Sequence, residues 1–149
     1  MIVSFCGHSD FVGTEQSKQK VISYLEEKIG GKQVDFYLGG YGLFDNFAYV
    51  CAREYKLKHG NARLVFVTPY ITPEYQKREL EYKKTIYDLI LYPQIEHVPL
   101  RFAIEYRNKC MMEKGDLVIA YVCREYGGAY KSYKYALKMG KEIFNIAKK

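Results

Sequence analysis

Tryptophan is absent from the 149 residues, and histidine, proline and cysteine are sparse, with three, four and four of each. The cysteines, Cys6, Cys51, Cys110 and Cys123, nowhere approach a CxxC spacing, which excludes the usual zinc frameworks. All four lie among apolar neighbours in predicted strands or helices, so buried free thiols in a reducing compartment are the expectation. No apolar run reaches the roughly 18 residues of a membrane span. No block of five or six Lys/Arg appears, which makes a nucleic-acid surface the weaker reading of the charge. Neither a GxGxxG fingerprint nor a Walker A loop is present. The first residues, Met1 to Cys6, carry no basic leader and no cleavage site. They read as a strand, and a cytoplasmic protein with no membrane contact is expected.

What is there has an ordinary globular balance, 48% hydrophobic and 27% charged, which excludes disorder and collagen-like repeats. The length suits one domain over residues 1–149. Short apolar runs alternate with amphipathic segments. Ile2 to Cys6, Val34 to Leu38, Arg63 to Thr68, Leu117 to Val122 and Glu142 to Ile146 read as strands. Thr14 is the N-cap of a helix whose apolar face is Val21, Ile22, Leu25 and Ile29, and Gly30-Gly31 ends it. Phe44, Phe47, Ala48, Cys51 and Tyr55 mark a second helix, ended by Gly60. Ala103, Ile104, Arg107, Cys110 and Met111 mark another, closed by Gly115. Ala129, Tyr133, Ala136 and Leu137 mark the last, ended by Gly140. Residues 70–99 carry no clear period and read as an irregular, insert-like region, with a short helix over 74–85 and a short strand or irregular chain over 87–92. The alternation predicts an α/β fold: a three-layer Rossmann-like domain with a mainly parallel sheet and helices on both faces.

Ligands of such sheets bind outside the carboxyl ends of the strands. Three loops leave those ends: Gly7-His8-Ser9-Asp10, Gly39-Gly40-Tyr41-Gly42 and Arg124-Glu125-Tyr126-Gly127-Gly128. Glycine lets backbone N–H groups approach a ligand. Helices begin just after two of these loops, and their unpaired N–H groups favour phosphate. The candidate ligand-binding residues are therefore Gly7, His8, Ser9, Gly39, Gly40, Tyr41, Gly42, Arg107, Asn108, Gly127 and Gly128. Arg107 either neutralises a phosphate or pairs on the surface with Glu105 or Glu113. His8 either hydrogen-bonds within its loop or begins a metal site with Asp10, for which no third ligand is evident. No metal and no cofactor is expected. Tyr41 or Tyr126 is placed to stack on a base. Most of the other tyrosines are expected to pack as core or surface aromatics.

These segments together resemble the SLOG superfamily, which shares the Rossmann-like fold of the DNA-processing protein DprA and of the plant Lonely Guy cytokinin-activating proteins. Phe5-Cys6-Gly7-His8-Ser9 resembles its first strand and glycine turn. Phe36 to Leu43 resembles its second strand and glycine-rich loop. Arg107-Asn108-Lys109-x-Met111, Asp116 to Ala120 and Gly127-Gly128 resemble the helix, strand and loop that complete the ligand site. The start and the Gly-Gly-Ala-Tyr-Lys near the end are closest to a small bacterial branch. The resemblance implies binding of nucleotides or nucleotide-derived molecules. Some members cleave the bond between a base and ribose 5′-phosphate, with a late loop Pro-Gly-Gly-x-Gly-Thr-x-x-Glu whose Glu is catalytic. Here Glu125-Tyr126 precedes the glycines, Tyr130 and Lys131 follow, and Lys134 stands where the Glu would be.

A lysine there opposes the positive charge that such cleavage builds on ribose. Asp45, at the start of the second helix, supplies an alternative carboxylate or simply suits a helix's first turn. Asp10 is another carboxylate within reach. The leading expectation is binding of a nucleotide-derived small molecule. The alternatives are a nucleotide N-glycosidase using Asp45 and Arg107, and single-stranded DNA binding. The net charge of +6 arises wholly after residue 60, and residues 124–149 hold seven basic and two acidic groups. That concentration points to a local anion site. The aromatic-rich last helix is a candidate homodimer interface.

Overall fold

The computed structural model describes residues 1–148. Six strands form one sheet: β1 (Ile2–Gly7), β2 (Val34–Leu38), β3 (Ala62–Val67), β4 (Leu89–Leu91), β5 (Leu117–Tyr121) and β6 (Glu142–Asn145). Their order is β4-β3-β2-β1-β5-β6, and every pairing is parallel. The chain steps outward from β1 to β4, then crosses back to build β5 and β6 on the other side of β1. That reversal puts the topological switch point between β1 and β5.

Right-handed crossovers turn this order into layers. Helices α1 (Glu15–Ile29) and α2 (Leu43–His59) pack on one face, against Val3, Phe5, Phe36 and Leu64. Helices α5 (Ala103–Lys114) and α6 (Gly128–Lys138) pack on the other, against Cys6, Val118 and Ala120. In α1 the buried residues are Val21, Leu25 and Ile29, one every turn. Thr14 caps α1 reciprocally with Ser17, and Gly30 closes it in the left-handed conformation. Such a cap contributes about 1 kcal/mol.

Within the stretch from 70 to 99 the expected short helix and short strand both form, over 73–86 and 89–91, and 92–99 is without helix or strand. Helix α3 (Pro73–Tyr75) runs through a π-helical turn, Gln76–Leu80, into α4 (Glu81–Ile86), and β4 extends the sheet beyond β3. Residues 68–88 are therefore the β3-to-β4 crossover rather than an insert. A short 3-10 turn, Leu100–Phe102, leads into α5. The last helix also departs from expectation, since Leu137 is exposed and Ser132 takes a buried place instead. Cys6 and Cys51 are buried, but Cys110 is half-buried and Cys123 is exposed, because Cys123 lies past the end of β5.

Two buried polar side chains tie the carboxyl half of the sheet together. Ser4 Oγ donates to the Met111 carbonyl at 2.7 Å, a second bond on an acceptor that also takes the Gly115 N–H closing α5 at 3.0 Å. Asn145 makes a two-way clamp on Val122, accepting from its N–H at 3.1 Å and donating to its carbonyl at 3.0 Å. The clamp continues the β5–β6 pairing to the point where the loop after β5 begins.

Candidate functional site

A cleft of about 250 Å³ opens at the carboxyl ends of β1 and β5. Gly7, His8 and Ser9 line it from the loop after β1. Gly39, Tyr41 and Asp45 line it from the loop after β2 and the start of α2. Arg107 and Asn108 come from α5, and Gly127 and Gly128 from the start of α6. Gly40 and Gly42 lie behind the lining, where a Cβ would press on Phe66 and on Ser9 respectively. Gly7 serves packing as well, since a Cβ there would fall 2.2 Å from the Phe44 ring.

The two helix starts are alike in backbone and opposite in surroundings. Gly42 and Gly127 are their N-caps, at φ 89°, ψ 175° and φ 91°, ψ 176°. Neither helix has a side-chain cap. At α2, the Leu43 N–H donates to the Ser9 carbonyl at 2.9 Å, and the Tyr41 N–H donates to the Asp45 carboxylate at 2.8 Å. An anion brought to this end would meet Asp45. At α6, the first backbone bond is Lys131 N–H to the Gly127 carbonyl, at 3.1 Å. The N–H groups before it find no acceptor among the described residues, and a Cβ at Gly127 or Gly128 would meet nothing within 4 Å. The anion-favouring end is therefore α6. The Gly39–Gly42 loop is already answered by a carboxylate.

Arg107 is 2% exposed. It does not pair on the surface with Glu105 or Glu113. Its Nη1 donates to the carbonyls of Gly39 at 3.1 Å and Val67 at 2.7 Å, and its Nε donates to Asn108 Oδ1 at 2.9 Å. The side chain thus bridges the ends of β2 and β3 from across the sheet. Its Nη2 takes no acceptor among the described residues. Burial pushes the Asp45 carboxyl up to about 6, against the pull of the Tyr41 N–H and the charges of Arg107 and Lys83. Burial, with the charge of Asp45, also pushes the Cys6 thiol up to about 12, so this cleft residue stays a thiol at neutral pH.

His8 is buried and acts as a staple. Its Nε2 accepts from the N–H groups of Cys123 at 3.0 Å and Arg124 at 3.3 Å, joining the loops after β1 and β5. Asp10 is not its metal partner; it forms a two-bond ion pair with Arg124, at 2.7 and 3.0 Å. No group of three His, Cys, Asp or Glu among the described residues is arranged to hold a metal ion. Tyr41 and Tyr126 stand at the mouth, 67% and 69% exposed, and the Arg124 guanidinium lies 5.7 Å from the Tyr126 ring centre. Lys134 sits over the Tyr130 ring and outside the cleft lining, so its charge does not enter the site as the sequence implies. What the departure removes is a carboxylate. Arg124 and Ser132 also line the cleft and are not among the residues singled out from sequence. The position of Arg124 between a strand end and Gly127-Gly128 was a usable signal; Ser132 had none.

The staple makes a pH dependence. Desolvation, and then the charge of Arg124, lower the His8 pKa below 6.5, while Asp10 opposes them. The unfolded chain therefore binds the proton first as pH falls, so the contribution is present above 6.5 and lost below it. Wild type is expected to lose stability relative to His8→Gln as pH drops through and below 6.5. Denaturant titrations of both proteins from pH 8 to 5 read this, and parallel curves would exclude it.

No family model matches the sequence, and no curated protein matches it. Solved structures do. DNA processing protein A from Helicobacter pylori, described for its single-stranded DNA binding mode, has a TM-score of 0.63 at 21% identity. The match covers 97% of this chain and 64% of that one. DNA processing protein A from Streptococcus pneumoniae has a TM-score of 0.61 at 18% identity, over 96% of this chain and 49% of that one. The Moco carrier protein of Chlamydomonas rheinhardtii has a TM-score of 0.51 at 14% identity, over 98% of this chain and 75% of that one. The chain thus spans 64% and 49% of the two DNA processing proteins. Among the described residues no helix is long and apolar enough to cross a membrane. At these identities the likeness is one of fold, and the chain has the Rossmann-like α/β fold of DNA processing protein A, the fold to which its glycine loops pointed.

Proposed function

We propose that the cleft binds a nucleotide or nucleotide-derived small molecule, with a phosphate at the start of α6. The observation that carries this is the uncapped, open backbone at Gly127–Gly128, facing the same cleft as the buried Arg107. Tyr41 and Tyr126 at the mouth offer faces on which a base stacks. A panel of nucleoside phosphates and cyclic nucleotides, read by thermal shift, tests it. A ligand at 100 times its Kd stabilises by about 2.7 kcal/mol, or roughly 5 to 10 °C for a chain of this size. No shift with any member would end the proposal. The Helicobacter pylori likeness adds single-stranded DNA to the panel; its signature is affinity that falls steeply with salt.

Asp45 supports a second reading, cleavage of the base–ribose bond. A carboxyl with a pKa of about 6 inside the cleft serves as acid or base near neutral pH. Incubation with nucleoside monophosphates should then release free base, and Asp45→Asn should lower the rate at least ~100-fold. Release that is unchanged in Asp45→Asn removes the residue from the chemistry.

A further inference from the structure

Beside the main cleft lies a smaller pocket of about 130 Å³ between α5 and α6. The two share Ile104, Asn108, Gly128 and Ser132, so they are continuous. Ser132 is 5% exposed and lines both pockets, and its hydroxyl makes no hydrogen bond among the described residues and is not sealed off from the pockets. A hydroxyl that faces a pocket with no partner from its own chain is free to bond one from outside it. Asn108 adds donors to the same junction. Its Oδ1 is taken by Arg107 Nε at 2.9 Å, which fixes the amide and leaves both Nδ2 hydrogens free. Lys109 and Lys131 also line the smaller pocket, and Glu105 is the single carboxylate in its lining.

The donors follow one line. The free N–H groups at Gly128 start α6, and Ser132 follows four residues later, about 6 Å along the axis. That span is comparable to the reach between the terminal oxygens of a diphosphate. The two lysines flank it. We propose that the smaller pocket is a subsite for a second anionic group, so that the ligand is of the nucleoside diphosphate class. This rests on the phosphate reading of the α6 start and names the ligand class for it.

Nucleoside 5′-monophosphates and the matching 5′-diphosphates of all four common bases test this by calorimetry on the full chain. The diphosphate of the preferred base should bind about tenfold tighter than its monophosphate, the worth of one charge-assisted hydrogen bond. In Lys131→Glu that ratio should collapse toward one. Lys138→Glu makes the same charge change at an exposed residue outside both pockets and should keep the ratio. Ser132→Ala should shrink the ratio with no change of net charge. Circular dichroism shows whether each variant is folded. Equal affinity for both series in wild type overturns the subsite and leaves the α6 phosphate site standing. A ratio that falls equally in Lys138→Glu also overturns it, since general charge then explains the preference. Binding of neither series overturns the phosphate site itself.

Discussion

Arg107→Ala is expected to lower the unfolding free energy by about 2 to 6 kcal/mol, the cost of stripping two buried carbonyls of their donor. The guanidinium comes from α5 on one side of the sheet and holds the Gly39 and Val67 carbonyls at the ends of β2 and β3. Alanine leaves both acceptors buried and unpaired, each costing about 1 to 3 kcal/mol. It also takes from Asp45 one of the two positive charges that favour its ionised form, so the Asp45 pKa should rise above 6. Arg107→Lys keeps a charge but lacks the planar fork that serves Gly39, Val67 and Asn108 together, and should recover only part of the loss. Urea titrations check both variants, with an unchanged slope showing that stability alone has moved. A loss in Arg107→Ala below about 1 kcal/mol would mean that the clamp is not holding the strand ends.

The second large effect separates two glycines of the same conformation. Gly42 and Gly127 both sit near φ 90°, a region that L side chains rarely adopt. Strain of this kind costs about 1 to 3 kcal/mol. At Gly127 that is the whole expected cost of alanine, since nothing lies within 4 Å of the added Cβ. At Gly42 the Cβ would lie 2.9 Å from the Ser9 Cα, backbone that cannot step aside. Overpacking then adds about 1 to 3 kcal/mol. Gly42→Ala should therefore unfold at clearly lower denaturant than Gly127→Ala. Coincident midpoints would show that the loop after β1 yields freely.

The sequence carried the strands, most of the helices and the three loops, because glycines punctuate each strand end and an apolar stripe follows. It failed where the period itself was broken. Tyr75, Leu80 and Tyr87 pack toward the core, but the π-helical turn Gln76–Leu80 sets the first two five residues apart, while Leu80 and Tyr87 keep the seven of two ordinary turns. That one long step leaves no clear period in so short a segment, so the sequence shows a short helix over 74–85 there and not its place in a crossover. The site was legible as an edge and not as a set of bonds. Arg107 falls on the apolar face of α5, yet nothing local says that its acceptors are carbonyls at Gly39 and Val67, 68 and 40 positions away. At Gly39–Gly42 the surroundings of the loop were hidden for a related reason. Its helix already carries the Asp45 carboxylate, and only the fold turns that group back onto the Tyr41 N–H. Ser132 hid among lysines and tyrosines because its burial depends on α5 lying against α6.

The placement of the cleft at the switch point also bears on how the chain assembles. β1 pairs with β2 about thirty residues on, but with β5 more than a hundred residues on; the Ile2 N–H reaches the Asp116 carboxylate across 114 positions. Joining so distant a pair closes the longest loop in the sheet, the kind of contact that slows folding most. The cleft walls come from both sides of that seam: Gly7, His8 and Ser9 before it, Arg124 and the start of α6 after it. A molecule held between them works as a strap across the seam. Amide exchange at β1 and β5, more than at β2 and β3, is where its grip would register.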